Sequence, residues 1–192
     1  MRAASLAALC AVGLLGGCSA EGPARDALKP PEKPVGTTSR APEPTTPRDR
    51  AILRRLAELA RRPSARTASA VPFAGRVHLG LGSHLLLERA RAELSDPQAW
   101  LLRPPGGDFR AGVGPFSALE LLGQSRGPLA FSLGPHRHCV SPPVPPPPRV
   151  ASLRRVSVQP RRLESCLQWF TVDVFLTQRG RIAAVTQDLF EP

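Results

Sequence analysis

From position 47 to 62 the apolar residues recur at helical spacing. Ile52, Leu53, Leu56, Ala57, Leu59 and Ala60 fall on one face, and Arg50, Arg54, Arg55, Glu58, Arg61 and Arg62 on the other. This division predicts an amphipathic helix. Its start is marked by Thr46 as N-cap, Pro47 at the first helical position and Asp49 closing a capping box. Further on, Val77, Leu79 and Leu81 alternate with Arg76, His78 and Gly80, a strand pattern. Ser83 then reads as a cap for a helix over 84–94, and Trp100-Leu101-Leu102 as a short apolar anchor. A short helix is expected over 115–122, with Pro115 at its first position and Phe116, Leu119 and Leu122 inward. Extended segments follow over 130–133 and 153–158, separated by a proline-rich run.

The last two segments, 166–178 and 181–190, alternate strongly and read as a β-hairpin joined at Arg179-Gly180. That turn pairs Leu176 with Ala183, Val174 with Val185, Val172 with Gln187 and Phe170 with Leu189 on a mostly apolar face. The opposite face pairs Phe175 with Ala184, Asp173 with Thr186 and Thr171 with Asp188. The predicted class is α+β: N-terminal helices with a C-terminal antiparallel sheet ending in this hairpin.

Composition changes the picture at the N-terminal end. The chain has 192 residues and 23 prolines, well above the usual share. Seven of these prolines fall between Ser19 and Pro47, where Leu28 and Val35 are almost the only large apolar residues. This stretch cannot pack and is read as a semi-extended tether. Its four basic and four acidic residues cancel. Removing Arg2 and a neutral tether from the formal charge of +11 leaves +10 on residues 48–192, so the folded part is itself basic. A nucleic-acid partner is nevertheless not expected. The chain has no Tyr or Asn and only two Lys, its arginines are spread through the sequence, and clustered cations with stacking aromatics are missing.

Ahead of the tether, Arg2 and the apolar run 3–15 have the form of a short export signal, too short to span a bilayer as a helix. It ends in Leu15-Gly16-Gly17-Cys18, which resembles the lipobox of bacterial lipoproteins. The resemblance implies removal of residues 1–17 and lipidation of Cys18. Residues 18–47 would then form the tether and 48–192 a single basic α+β domain held on the extracytoplasmic face of the cell membrane. The competing reading is an ordinary signal cut after Ala20, with the protein freely secreted. Of the four cysteines, Cys10 would leave with the signal and Cys18 would carry the lipid. Cys139 and Cys166 remain, and they are expected to form a disulfide in an oxidising compartment. Such a bridge would stabilise the fold by about 3–4 kcal/mol on a chain-entropy basis.

Candidate chemistry in the domain is sparse. His136, His138 and Cys139 are of metal-ligand type, but in a strand the two imidazoles point away from the thiol, and no HExxH or CxxC supplies further ligands. No metal site is assigned. Gly80-Leu81-Gly82 lacks the third glycine of a dinucleotide loop, position 85 being Leu, and no cofactor is expected. Ser117 has no assignable base. The six prolines between 142 and 148 suit either a stiff connector or a preformed ligand for an aromatic groove.

Asp173 and Asp188 lie diagonally across the predicted hairpin, about 7 Å apart between backbones, near the separation of the paired carboxylates of glycoside hydrolysis. The competing role for such carboxylates is pairing with arginines such as Arg154 or Arg155. The function expected overall is that of a lipid-anchored envelope protein acting as a binding or interaction module. Its partners would be the membrane through Cys18, and anionic lipid or envelope polymers through the basic domain. The alternative is a secreted or tethered hydrolase using Asp173 and Asp188.

Overall fold

The computed structural model of the chain describes residues 43–102, 117–125, 127–134, 143–161 and 169–189. Helix α1 (Pro47–Arg61) begins as predicted: the Asp49 amide donates to Thr46 Oγ1 at 3.1 Å, and the Thr46 hydroxyl donates to Asp49 Oδ2 at 2.8 Å. The apolar stripe faces inward, with Ile52, Leu53, Leu56 and Leu59 all buried. Each such side chain contributes roughly 1.5–3 kcal/mol relative to exposure. A second helix, α2 (Ala65–Ala70), is capped by Ser64, whose hydroxyl accepts from the Thr67 amide at 3.1 Å.

The strands are β1 (Glu43–Pro44), β2 (Phe73–Leu81), β3 (His84–Ala90), β4 (Leu129–Leu133), β5 (Arg154–Pro160), β6 (Phe170–Leu176) and β7 (Ile182–Leu189). They form one sheet in the order β1-β4-β5-β6-β7-β2-β3. The class is α+β. The sheet differs from the expected antiparallel one, because β2 runs parallel to β7 while every other neighbouring pair is antiparallel. Strands from the first half of the chain thus complete a sheet centred on its second half. Strand β1 also lies within the stretch assigned to the tether, and Glu43 and Pro44 pair with Leu133 and Ser132. An edge position is where a strand tolerates proline.

Residues 84–90 are strand, not the first turns of a helix. Gly82-Ser83 is the two-residue turn of a β2–β3 hairpin, with Leu81 opposite His84 and Leu79 opposite Leu87. The serine that resembled a helix cap is a turn residue. A 3₁₀ segment, Arg91–Ser95, follows and buries Leu94. A second one, Pro97–Trp100, buries Trp100, whose ring lies 5.9 Å from that of Phe73 and whose indole N–H donates to the Leu94 carbonyl at 3.1 Å.

The helix expected over 115–122 is α3 (Ala118–Gln124). Its N-cap is Ser117, whose hydroxyl accepts from the Glu120 amide at 3.1 Å; Pro115 and Phe116 lie outside the described residues. Leu119, Leu121 and Leu122 join α1 and the apolar face of the sheet (Val77, Leu79, Val156, Val158, Val172, Val174 and Val185) in one core. Helices α1 and α3 touch closely: a Cβ on Gly123 would lie 2.8 Å from the Ala60 carbonyl oxygen.

In the β6–β7 hairpin the predicted register holds from Phe170↔Leu189 to Phe175↔Ala184, but the turn differs. The Gly180 amide donates to the Thr177 carbonyl at 2.8 Å, and the Thr177 amide to the Arg181 carbonyl at 2.9 Å, so Gln178-Arg179-Gly180 form the loop. Gly180 takes the positive φ of 73° that a three-residue turn requires. Leu176 therefore pairs with Ile182 instead of Ala183, and an irregularity between Phe175 and Leu176 restores the register.

Candidate functional site

Alternation along β5, β6 and β7 sends the aliphatic set toward α1 and α3. It sends Arg155, Ser157, Gln159, Thr171, Asp173, Phe175 and Thr186 to the opposite face. That polar face is not solvated: Ser157, Gln159, Thr171, Asp173 and Thr186 are all at most 2% exposed. Buried polar groups of this kind are costly unless bonded to one another. Asp173 is bonded twice, by Arg155 Nη2 to Oδ2 at 2.5 Å and by the Ser157 hydroxyl to Oδ1. Arg155 also donates Nη1 to the Val144 carbonyl at 2.8 Å and lies 6.0 Å from the centre of the Phe175 ring. Next along the strands, Gln159 Nε2 donates to Thr171 Oγ1 at 2.9 Å. Toward the other end Phe175 and Ala184 pack on Val150, with Leu85 and Leu153 beside them.

Asp173, half of the predicted carboxylate pair, is thus an ion-pair partner in a buried network, with both oxygens engaged. Asp188 sits two positions further along β7 from Thr186, opposite Thr171, and is only partly buried. Two adjacent arginines on β5 divide by face. Arg155 takes Asp173, whereas Arg154 reaches the helix layer and takes Asp49. Arg154 Nη1 donates to Asp49 Oδ2 at 2.8 Å, its Nη2 lies 2.8 Å from Oδ1 as an ion-pair contact, and Asp49 is fully buried. The carboxylate that caps α1 therefore also ties the helix to the sheet, and it neutralises the first turn's partial positive charge.

The chain resembles nothing in any of three comparisons: no protein-family model, no curated protein and no solved structure matches it. Any functional reading therefore rests on the residues themselves.

Two surface features remain. A shallow groove of about 290 Å³ lies where the end of α1 meets α3, lined by Ala60, Pro63, Leu101, Leu119, Glu120 and Gln124 among others. The outer face of α1 carries Arg48, Arg54, Arg55, Arg61 and Arg62, all exposed, against a single exposed carboxylate, Glu58. Arg48 is committed to the Arg179 carbonyl at 2.7 Å, Arg55 reaches the Ala70 carbonyl at 3.3 Å, and Arg62 sits 4.0 Å from Glu58. Among the described residues Arg54 and Arg61 have no hydrogen-bond or ion-pair partner. Also among the described residues, no three His, Cys, Asp or Glu side chains are assembled as a metal cluster. His136, His138, Cys139, Cys166 and Cys18 lie outside the described residues, as does any contact they make.

Proposed function

We propose that the protein is a lipid-anchored lipoprotein of the cell envelope, exposed on the extracytoplasmic side, whose folded domain is a binding or envelope-interaction module. The observation that carries the address is Leu15-Gly16-Gly17-Cys18 behind a short apolar run, followed by a neutral, proline-rich stretch with few large apolar residues. With Glu43 and Pro44 held in the sheet, residues 18–42 would reach at most about 78 Å at about 3.1 Å per residue. Among the described residues no helix is long and apolar enough to cross a membrane. An oxidising compartment is also what a Cys139–Cys166 bridge would need. The module reading is supported by the site geometry: Asp173 is bonded by Arg155 and Ser157, Gln159 bonds Thr171, and Arg54 and Arg61, unpaired among the described residues, are on the surface.

Metabolic labelling with palmitate tests the address. The full-length chain should take up label and fractionate with membranes, and Cys18→Ala should lose the label and appear in the soluble extracytoplasmic fraction. Unchanged labelling and fractionation in that variant would refute the anchor.

A further inference from the structure

We infer that the arginine face of α1 is a docking surface for anionic phospholipid, and that the domain uses it to lie down on the bilayer from which it hangs. The inference rests on the lipid-anchor reading for its choice of partner and on the structure for its surface. On the sequence pattern alone α1 could insert its apolar stripe into a membrane, as interfacial helices do. The fold removes that option, because Ile52, Leu53, Leu56 and Leu59 are between 0% and 4% exposed within the core. What α1 offers outward is charge without grease. Among the described residues Arg54 and Arg61 have no partner, Arg55 and Arg62 are held by contacts of 3.3 and 4.0 Å, and Glu58 is the one opposing carboxylate on this face.

Guanidinium groups bind phosphate oxygens through a planar fork. The exposed face of a helix suits a plane of many phosphates better than one small anion, which needs a pocket to enclose it; Arg61 borders the groove beside α3, but that groove is open and otherwise lined mainly by apolar and neutral polar residues. The tether decides between a bilayer and a soluble polyanion. Helix α1 opens two residues after β1, the strand in which the tether ends, so an anchored chain holds this face at high effective concentration near lipid headgroups. Because nothing apolar inserts, the attraction is electrostatic throughout and must fall away with salt.

The test uses the full chain carrying Cys18→Ser, so that acylation plays no part, with vesicles of phosphatidylcholine alone and vesicles that also contain phosphatidylglycerol. Any contribution from the uncharged apolar run near the N-terminus is common to both. Binding to the anionic vesicles should exceed binding to the neutral ones, and that excess should vanish near about 0.5 M salt. Each basic residue at an anionic surface contributes about five-fold, so Arg54, Arg55, Arg61 and Arg62 all replaced by Gln should lower partitioning roughly 600-fold. The same four replaced by Lys should retain most of it. A control with Arg149, Arg161, Arg179 and Arg181 replaced by Gln, which has the same net charge as the first variant, should bind like the parent. Equal binding to both vesicle types would overturn the inference. So would a control that loses as much as the α1 variant, since net charge and not this face would then be responsible. Tighter retention on immobilised polygalacturonate than on anionic vesicles would overturn the choice of lipid. None of these outcomes bears on acylation, which palmitate labelling of the unaltered chain decides separately.

Discussion

The costliest groups in the sheet are the Arg155 guanidinium and the Asp173 carboxylate, with side chains only 15% and 3% exposed. A buried pair of this kind gains little over apolar residues of the same size, but losing one member leaves the other charged and unpaired. Asp173→Ala is therefore expected to lower unfolding free energy by about 3–5 kcal/mol in urea titration, and Arg155→Met by a similar amount. Combining Arg155→Met with Asp173→Leu should recover most of that loss, since the apolar pair would sit beside Phe175, Val150 and Ala184. If the double variant is as unstable as the sum of the single ones, the two groups are not coupled in this way. The same geometry bears on the hydrolase expectation: a carboxylate already bonded by an arginine and a serine has no free oxygen to offer an incoming bond. Alternation placed Asp173 on the correct strand face, but its role depended on which of two neighbouring arginines lay beside it. Cross-strand pairing, which brings Ser157 opposite Asp173, settles that and is not written in either segment alone.

At the scale of elements, what could be read in advance was whatever is specified locally. Helix α1 carries its cap, its proline, its period and its outward charges within sixteen consecutive positions (Thr46 to Arg61), and it forms as expected. Residues 84–94 show the opposite case. Three consecutive leucines, Leu85, Leu86 and Leu87, satisfy a helix or a strand, and the choice is made by β2, which pairs Leu79 with Leu87. The parallel β2–β7 seam was illegible for the same reason, since its partners are some hundred residues apart and nothing local specifies their direction. In the β6–β7 hairpin the register was correct although the turn was not, because the longer turn and the irregularity near Ala183 offset one another. The contact between α1 and α3 is a further non-local feature and a sharp one. Gly123→Ala would place a methyl 2.8 Å from a backbone oxygen of α1, which no side-chain rotation can relieve. The two helices must separate, at a cost of about 1–3 kcal/mol, visible as a lower midpoint in thermal or urea unfolding. An exposed helical glycine would instead gain from alanine, so an unchanged or raised midpoint would contradict the close approach.

For the molecule as a whole, charge acts in two opposite ways on stability, and burial decides which of them salt can reach. The formal charge of the chain is +11, and among the described residues most arginines are exposed, where they repel one another over the surface and favour the expanded chain. The attractive pairs that oppose this have their carboxylates inside: Asp49 is 0% and Asp173 3% exposed at the side chain. Screening falls on groups in contact with solvent and much less on buried partners. Added salt should therefore weaken the repulsion more than the attraction, and the folded state should gain. Raising sodium chloride from about 0.01 M to about 0.15 M shortens the screening length from about 30 Å to about 8 Å, enough to separate arginines on neighbouring elements electrostatically. The midpoint of thermal unfolding, followed by far-ultraviolet circular dichroism, should rise over that range. With Arg54, Arg55, Arg61 and Arg62 replaced by Gln the rise should shrink, because four neighbouring exposed like charges are gone. A midpoint that falls with salt would mean that exposed ion pairs such as Arg76–Glu88, at 2.8 Å, outweigh the repulsion. The arginine face would then be no electrostatic burden on the free domain, and binding an anionic surface would have little repulsion to relieve.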